Sequence, residues 1–243
     1  PGRATVPRDP LRTKLCDMLG IEYPIIAFTH CKDVAVAVIN AGAFAVLGEA
    51  MHTPDEIAAD IRWIRERING KPYGIDLVLP ASSPLEGGLE DLESKIPASH
   101  RDFAAGIAKR HDVPEPKGPV ALHRWGGLNQ QMARAQLDVV LDERVPVFTS
   151  GLGNPAFILE AAHARGIKVF GLIGKKRQAE REIEAGVDAI IAQGYDAAGH
   201  TGTIGTFSIV PEVAAIAGNT PVIAGGGVTT GRHLAAALCL GAS

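Results

Sequence analysis

The residues best suited to do chemistry lie in one short segment, Ala197-Ala198-Gly199-His200-Thr201-Gly202, which follows an apolar run. That run, Val187 to Gln193, has the pattern of a parallel strand buried on both faces. Small residues after such a strand let the main chain approach a ligand closely, and His200 adds one imidazole at that opening. Because imidazole gains or loses a proton near neutral pH, this arrangement is typical of a general acid or base at the edge of a sheet.

A second segment without side chains, Gly225-Gly226-Gly227, comes directly after the apolar strand Pro221 to Ala224. Three successive backbone N–H groups in such a turn can converge on an anion, and the amino end of a following helix strengthens the attraction. An ordinary tight turn between strand and helix is the alternative interpretation. Two neighbouring strand ends of this kind predict a phosphorylated cofactor with His200 beside it.

Strand and helix patterns alternate along the chain, which is typical of an α/β fold built from βα units. The predicted strands are 23–28, 43–48, 73–79, 145–149, 167–173, 187–193 and 221–224. The predicted helices are 34–40, 53–70, 99–110, 129–143, 154–166, 175–185, 210–217 and 233–240. These units predict a TIM (β/α)8 barrel that stops before its eighth strand. An open doubly wound sheet is the alternative, but no Gly-x-Gly-x-x-Gly follows the first strand.

We therefore expect residues 1–243 to form a single barrel domain that is the retained portion of a longer protein. Strands one and seven should not pair, and the last helix should point its carboxyl end toward the gap between them. Unpaired strand edges are an aggregation hazard, which is why such a gap would be unusual in a complete barrel.

An insertion after the third strand, residues 81–119, interrupts this rhythm and is rich in Pro, Gly and charged residues. A segment of this length is more often a lid or a substrate-binding element than a linker. Arg124 and Trp125 follow it and should lie near the barrel mouth. There Arg124 could pair with a carboxylate or a phosphate and Trp125 could wall a substrate pocket, whereas a packed aromatic that anchors a loop is the equal alternative.

The charge balance excludes two classes of partner, since 24 Lys and Arg against 27 Asp and Glu give a net charge of −3. This offers no electrostatic basis for binding nucleic acid or a membrane surface. Three widely spaced cysteines argue against a disulfide framework and against a metal site, and they indicate a reducing cytoplasm. We predict a cytoplasmic enzyme with a small-molecule substrate and no metal, and leave a homodimer open.

Three stretches together resemble the nitronate monooxygenase family, formerly called 2-nitropropane dioxygenase. They are Gln193 to Gly202, Pro221 to Gly227 and Gly231 to Ala242, and the amino-terminal half adds Pro24 to Ile26, Asn40 to Gly42 and Lys71 to Ile75. The resemblance implies a barrel that binds FMN without a covalent bond, with His200 as the catalytic residue. It also implies contacts to the flavin or its phosphate from Ala27, Asp76, Ala198, Gly199, Gly225, Gly226 and Gly227.

Two departures from the family pattern concern the predicted site. The third strand carries Asp76 where the family usually has Asn, and this carboxylate either bonds the flavin or is simply a polar residue at a strand end. The first strand continues into Phe28-Thr29-His30-Cys31 in place of a Gly and Met segment. His30 therefore either faces the substrate pocket or belongs to the start of the next helix.

The family resemblance implies an FMN-dependent oxidoreductase that oxidises a small nitronate or nitroalkane with O2, with His200 as the base. The same flavin site resembles that of flavin-dependent enoyl-thioester reductases. An NAD(P)H-dependent reductase of an enoyl or ring-bearing acyl-CoA thioester is therefore the alternative, and a non-catalytic flavin-binding barrel is the third interpretation. Because an eighth strand is expected to complete the phosphate site, we expect residues 1–243 alone to bind FMN weakly or not at all.

Overall fold

The computed structural model describes residues 9–78, 94–114, 130–151 and 153–243. Its strands are β1 (Ile26–Thr29), β2 (Phe44–Gly48), β3 (Gly74–Val78), β4 (Val147–Gly151), β5 (Lys168–Ile173), β6 (Ala189–Gln193) and β7 (Val222–Gly225). Its helices are α1 (Lys14–Leu19), α2 (Lys32–Asn40), α3 (Pro54–Arg65), α4 (Ala98–Arg110), α5 (Gln130–Asp142), α6 (Leu159–His163), α7 (Lys176–Ala185), α8 (Thr206–Ala217) and α9 (Gly231–Cys239).

The seven strands form one parallel sheet in the order β1-β2-β3-β4-β5-β6-β7, which is a half-barrel with helices between the strands. This confirms the predicted α/β barrel class. Within the described part of the chain β1 and β7 share no ladder, as predicted. After α9 the main chain returns beside β7, where the Ser243 N–H donates to the Val222 carbonyl at 2.8 Å.

Alternation along each strand divides the core into two layers. The inner cluster lies on the concave side of the sheet and includes Phe44, Val46, Phe170 and Ile223. Helix α1 belongs to this layer, because its buried Leu15, Cys16 and Leu19 pack into the same cluster. The sequence analysis did not predict α1. The outer cluster packs the opposite face of the sheet against the helices that connect the strands.

Helix α3 shows how local sequence fixes an element of the outer layer. Thr53 accepts a hydrogen bond from the Glu56 N–H at 3.3 Å, and the Glu56 carboxylate accepts from the Thr53 N–H at 2.8 Å. This reciprocal cap satisfies two N–H groups that have no partner inside the helix. Ile57, Ile61 and Ile64 follow at helical spacing and are fully buried against the sheet.

Three predicted helices have wrong boundaries. The helix predicted over 53–70 corresponds to α3, which ends at Arg65. The predicted helix over 154–166 is a short 3-10 turn at Pro155–Phe157 followed by the brief α6. Helix α8 begins at Thr206, four residues before the predicted Val210, because Gly205 is its N-cap and its first turns precede Pro211.

The insertion after β3 is described only in part. Helix α4 confirms the predicted helix over 99–110, and no residue of it is buried: Phe103 is 69 % exposed and Ile107 39 % exposed. Residues 79–93 and 115–129 lie outside the described residues, so the lid stays a prediction. No helix in the described ranges is both long enough and apolar enough to span a membrane.

Candidate functional site

The loop that follows β6 and the glycine turn that follows β7 lie against each other at one edge of the sheet. The Gly194 N–H donates to the Gly225 carbonyl at 2.9 Å, which extends the β6–β7 pairing one residue beyond the end of β6. A Cβ atom on Gly226 would lie 2.7 Å from the Ala197 nitrogen. The missing side chain at Gly226 therefore allows the two loops to pack, and any contact of this residue with a phosphate would come from its N–H group.

Asp196 and Thr206 hold these two loops together. The Asp196 Oδ1 atom accepts from the Thr206 hydroxyl at 2.6 Å and from the Thr206 N–H at 3.0 Å, and these bonds lower the pKa of the Asp196 carboxyl. The same hydroxyl lies 2.9 Å from the Gly225 carbonyl oxygen. The sequence analysis assigned no role to Asp196 or Thr206, although Asp196 lies between β6 and the Ala-Gly-His segment.

The turn after β7 has the features of an anion site. Gly226 and Gly227 have φ angles of +115° and +66°, which glycine adopts readily. The N–H groups of Gly226, Gly227 and Val228 donate to no acceptor within the described residues, and all three residues are half-buried. Helix α9 begins just after this turn and has no acidic residue in its first turn. A phosphate would therefore meet free N–H groups and the positive end of a helix.

His200 lies at the same edge, exposed and without a hydrogen bond to any described residue. The start of its loop is held by Gln193, whose side-chain N–H donates to the Ala198 carbonyl at 3.2 Å. The end of its loop crosses β5 closely, since a Cβ on Gly202 would lie 2.7 Å from the Gly174 carbonyl oxygen. The loop is thus fixed on both sides of an imidazole that is free to contact a ligand.

A cleft of about 580 Å³ opens beside His200, between the carboxyl ends of β5 and β6 and the first turns of α7. Leu172, Gln193, Lys175, Arg181 and Glu182 are among its lining residues. The glycine turn after β7 does not line it, although that turn contacts the His200 loop. His200 therefore lies between the candidate phosphate site and the cleft.

Asp76 and His30 form a second polar group, at the carboxyl ends of β1 to β4. The Thr149 hydroxyl donates to Asp76 Oδ1 at 2.8 Å. Burial raises the pKa of the Asp76 carboxyl to about 7, against the opposing effects of that hydrogen bond and of nearby His30. The His30 ring lies edge-on to Phe28, with its Nδ1 atom 3.0 Å from the Gly48 carbonyl oxygen. His30 thus lies over the row that Gly48, Asp76 and Thr149 form across three strands.

Three further residues, Ala27, Arg124 and Trp125, were predicted to contact the flavin or the substrate. Ala27 pairs with Ala45, which belongs to the outer cluster, so its side chain lies on the helix face and any flavin contact would come from its main chain. Arg124 and Trp125 lie outside the described residues. The structure therefore brings together His200, Ala198 and Gly199 with the turn after β7, and places Asp76 and His30 on the other side of the barrel mouth.

One group of side chains has the donor set of a metal site. Single ligand atoms of Glu49, His52 and Asp60 lie within 4.8 Å of one another in the outer layer. His52 is hydrogen-bonded to Glu49, and burial raises the pKa of the Glu49 carboxyl to about 7. The Lys32 ammonium lies 2.5 Å from Asp60 Oδ1 and already supplies a positive charge to the group. The arrangement is that of a buried polar network between β2 and α3.

Family and structural comparisons agree with this geometry. A family model described as nitronate monooxygenase matches residues 12–243. The Mycobacterium tuberculosis protein Rv1533, named as a monooxygenase, is 40 % identical over 239 residues, covering 96 % of this chain and 64 % of its own length. A Staphylococcus aureus protein named as a nitronate monooxygenase is 27 % identical and covers 95 % of this chain and 65 % of its own. The chain thus spans just under two thirds of the length of these relatives.

Solved structures with the same architecture include proteins from Thermotoga maritima and Streptomyces ansochromogenes. FabK from Thermotoga maritima is 30 % identical with a TM-score of 0.71, over 96 % of this chain and 60 % of its own. A nitroalkane oxidase from Streptomyces ansochromogenes is 27 % identical with a TM-score of 0.74, over 95 % of this chain and 65 % of its own. Both similarities extend across the strands that carry the candidate site.

Proposed function

This chain belongs to the nitronate monooxygenase family, and we propose that it is an FMN-dependent oxidoreductase in which His200 is the catalytic base. Its substrate would be a small nitronate or nitroalkane, and O2 would be the electron acceptor. The observation that carries the proposal is the packing of the His200 loop against the glycine turn after β7. The close approach of Gly226 to Ala197, which lies in the same loop as His200, supports this proposal.

The residues present fit a flavin phosphate. The N–H groups of Gly226, Gly227 and Val228, with the amino end of α9, would hold the phosphate, and Asp76 would bond the ribityl chain or the ring edge. When bound, the flavin would supply the redox chemistry of the reaction. The protein contributes binding, orientation and proton transfer.

His200 would remove the proton from the α-carbon of a neutral nitroalkane. A base needs access to the substrate, and the exposed imidazole beside the cleft has that access. Histidine is the side chain that serves most often as a general base in enzymes. Gln193 and Gly202 keep its loop in place, so little reorganisation is required before proton transfer. For a preformed nitronate this step is already complete, and His200 would then only orient the anion.

A second candidate function is the NAD(P)H-dependent reduction of an enoyl thioester. The similarity to FabK favours it, because that similarity is as strong as the one to nitroalkane oxidase. The cleft beside His200, at about 580 Å³, has room for a substrate larger than a small nitronate.

Anaerobic mixing of the flavin-loaded protein with an alkyl nitronate, with NADH and with NADPH in separate experiments tests the proposal. We expect an alkyl nitronate to bleach the flavin absorbance and NADH or NADPH to leave it unchanged on the same timescale. Rapid bleaching by a nicotinamide, without bleaching by the nitronate, would contradict the monooxygenase and favour the reductase. A preparation that takes up FAD but no FMN would contradict the cofactor assignment.

A further inference from the structure

Glu182 is a buried carboxyl group without a partner at the end of the cleft that contains His200. Its residue surface is 4 % exposed, and its Oε2 atom is enclosed with no hydrogen bond to any described residue. Buried polar atoms in folded proteins are nearly always hydrogen-bonded, because an unpaired one has lost its water without gaining a partner. No described residue therefore satisfies the hydrogen-bonding capacity of this carboxyl atom.

Gly171 makes the space that this carboxyl occupies. A Cβ atom on Gly171 would lie 1.7 Å from Glu182 Oε2, so no other residue type fits in β5 at this position while Glu182 stays in place. Glycine weakens a strand interior and often marks the close approach of another group. The pair of residues is thus built to bring the carboxyl from α7 onto the face of β5.

Ser150 adds a second unpartnered polar group beside the first. It pairs with Gly171 in the β4–β5 ladder, so the two residues share the outer face of the sheet. Ser150 is fully buried, and its Oγ atom has no hydrogen bond within the described residues. The Ser150 residue on β4 and the Glu182 carboxyl from α7 therefore both lie next to Gly171 on the outer face of the sheet.

Glu182 also lines the cleft that contains the candidate catalytic base. Leu172, Gly174, Gln193 and His200 are among the other residues of that lining. Burial alone raises the pKa of the Glu182 carboxyl to about 8, so the group is largely neutral at pH 7 and can both donate and accept a hydrogen bond. A neutral carboxyl of this kind matches a ligand group that also donates and accepts.

We propose that Glu182, with Ser150 behind it, is a specificity-determining subsite that binds a neutral hydrogen-bonding group of the substrate, such as a hydroxyl or a carboxamide. The reacting carbon of the same molecule would lie at His200. The assignment rests on the proposed function for the identity of the reacting group, while the binding of the polar group can be measured without turnover.

Carbon NMR of the flavin-loaded protein with labelled glutamate carboxyls measures this binding directly. The Glu182 resonance is assigned by its loss in Glu182→Gln. We expect it to shift when a hydroxyl-terminated nitroalkane is added and to stay in place with the methyl-terminated nitroalkane of equal chain length. Equal shifts with both probes, or no shift with either, would overturn the subsite whether or not the protein oxidises nitronates.

Steady-state kinetics with the two corresponding nitronates is the second test of the subsite. We expect the wild-type ratio of kcat/KM to favour the hydroxyl-terminated nitronate about tenfold, the value of one buried hydrogen bond. Glu182→Gln should keep this preference because the amide donates and accepts, and Glu182→Leu should abolish it. The control Glu184→Gln, on the exposed side of α7, should leave both rates unchanged. An equal loss on both substrates in Glu182→Leu would mean a structural role.

A Ser150→Ala variant separates the subsite from a purely internal contact. If Ser150 and Glu182 interact only with each other, the Glu182 resonance will shift in this variant and neither probe will shift it further. This result would overturn the proposal. If the subsite binds ligand, the hydroxyl-terminated probe will still shift the resonance, with weaker affinity. An absence of nitronate oxidation together with a positive NMR result would contradict the proposed function and leave the subsite standing.

Discussion

His200 differs from the other histidines near the sheet in the hydrogen bonds of its imidazole. His30, His52 and His163 each lie within hydrogen-bond distance of a carbonyl or carboxylate oxygen. His200 has no such partner within the described residues, although its loop is fixed at both ends. A histidine that the fold positions but does not engage is available for proton transfer to a ligand, which is the physical basis for choosing it as the base.

Asp76→Asn should stabilise the protein increasingly as the pH rises. The folded-state pKa of about 7 lies above the ordinary value, so the folded state holds a proton that the unfolded state has released, and stability falls as the pH rises toward 7. Asn does not titrate, so this loss of stability with rising pH disappears in the variant. Its side-chain oxygen can still accept a hydrogen bond from Thr149. Allowing for partial exposure, we expect a gain of about 1 kcal/mol at pH 8, or roughly 2–4 °C in Tm, and none near pH 4. Thermal melts across this range measure it.

Asp196→Asn should change the stability of the protein in the opposite direction to Asp76→Asn. The pKa of the Asp196 carboxyl is lowered by its bonds from Thr206, so its contribution is present at neutral pH and is lost as the pH falls through that lowered value. The variant should therefore melt below the wild type at pH 7, with the difference shrinking in acid. Parallel pH dependences for the two variants would contradict this description of the two carboxyls.

The candidate catalytic residue and Asp76 were singled out from the sequence, whereas the buried carboxyl of Glu182 was not. His200 lies between glycines after an apolar strand, a pattern that needs no knowledge of tertiary contacts. Glu182 lies among charged residues on α7 and looks like part of a solvated face. The signal that pointed to it is Gly171, a residue without a side chain inside the apolar β5, and its meaning appears only when the helix is docked on the strand.

At the scale of elements, Thr206 joins the start of α8 to the loops after β6 and β7. Thr206→Val removes the hydroxyl that lies between Asp196 and the Gly225 carbonyl while keeping the shape of the side chain. We expect FMN affinity to fall about tenfold, because the two loops lose their shared anchor. Fluorescence titration of FMN measures this, with Thr220→Val, at the far end of the β7 unit, as control. Unchanged affinity would separate the anchor from the flavin site.

Gly202→Ala should displace the His200 loop from β5. The new Cβ would lie 2.7 Å from the backbone oxygen of Gly174, which cannot rotate away as a side chain could. We expect a loss of about 1–3 kcal/mol in unfolding free energy, together with slower turnover. The control Gly106→Ala lies in the exposed α4 with nothing near its Cβ and should gain up to about 1 kcal/mol from helix propensity. Denaturant titrations compare the two, and a neutral Gly202→Ala would contradict the contact.

The structure confirms the predicted strands. They could be predicted because buried parallel strands appear in a sequence as continuous apolar runs bounded by turn residues. Elements with weaker local signals were missed or misplaced. Helix α1 is six residues long, and its place is set by burial of Leu15 and Leu19 in the inner cluster rather than by propensity. The segment 154–166 has a helical start at Asn154-Pro155, but it forms a 3-10 turn before α6.

At the scale of the whole molecule, the half-barrel brings seven strand ends to one edge. That edge carries the His200 loop, the glycine turn after β7, and Asp76 with His30. The alternation of strands and helices sufficed to predict this architecture, since right-handed βα units place successive strands side by side. The cleft and its polar end depend on how α7 docks against β5, so the sequence pattern did not predict them.

The reduction of the flavin by a nitroalkane and by its nitronate, compared in wild type and His200→Asn, tests the central claim most directly. A base is needed for the neutral nitroalkane but not for the nitronate, whose α-proton is already lost. In anaerobic stopped flow, the variant should retain FMN and reduce it roughly 10²–10⁴ times more slowly with the nitroalkane. Its rate with the nitronate should stay within a few fold of wild type. Wild-type rates with the nitroalkane, or an equal loss with both substrates, would contradict the assignment of His200 as the base.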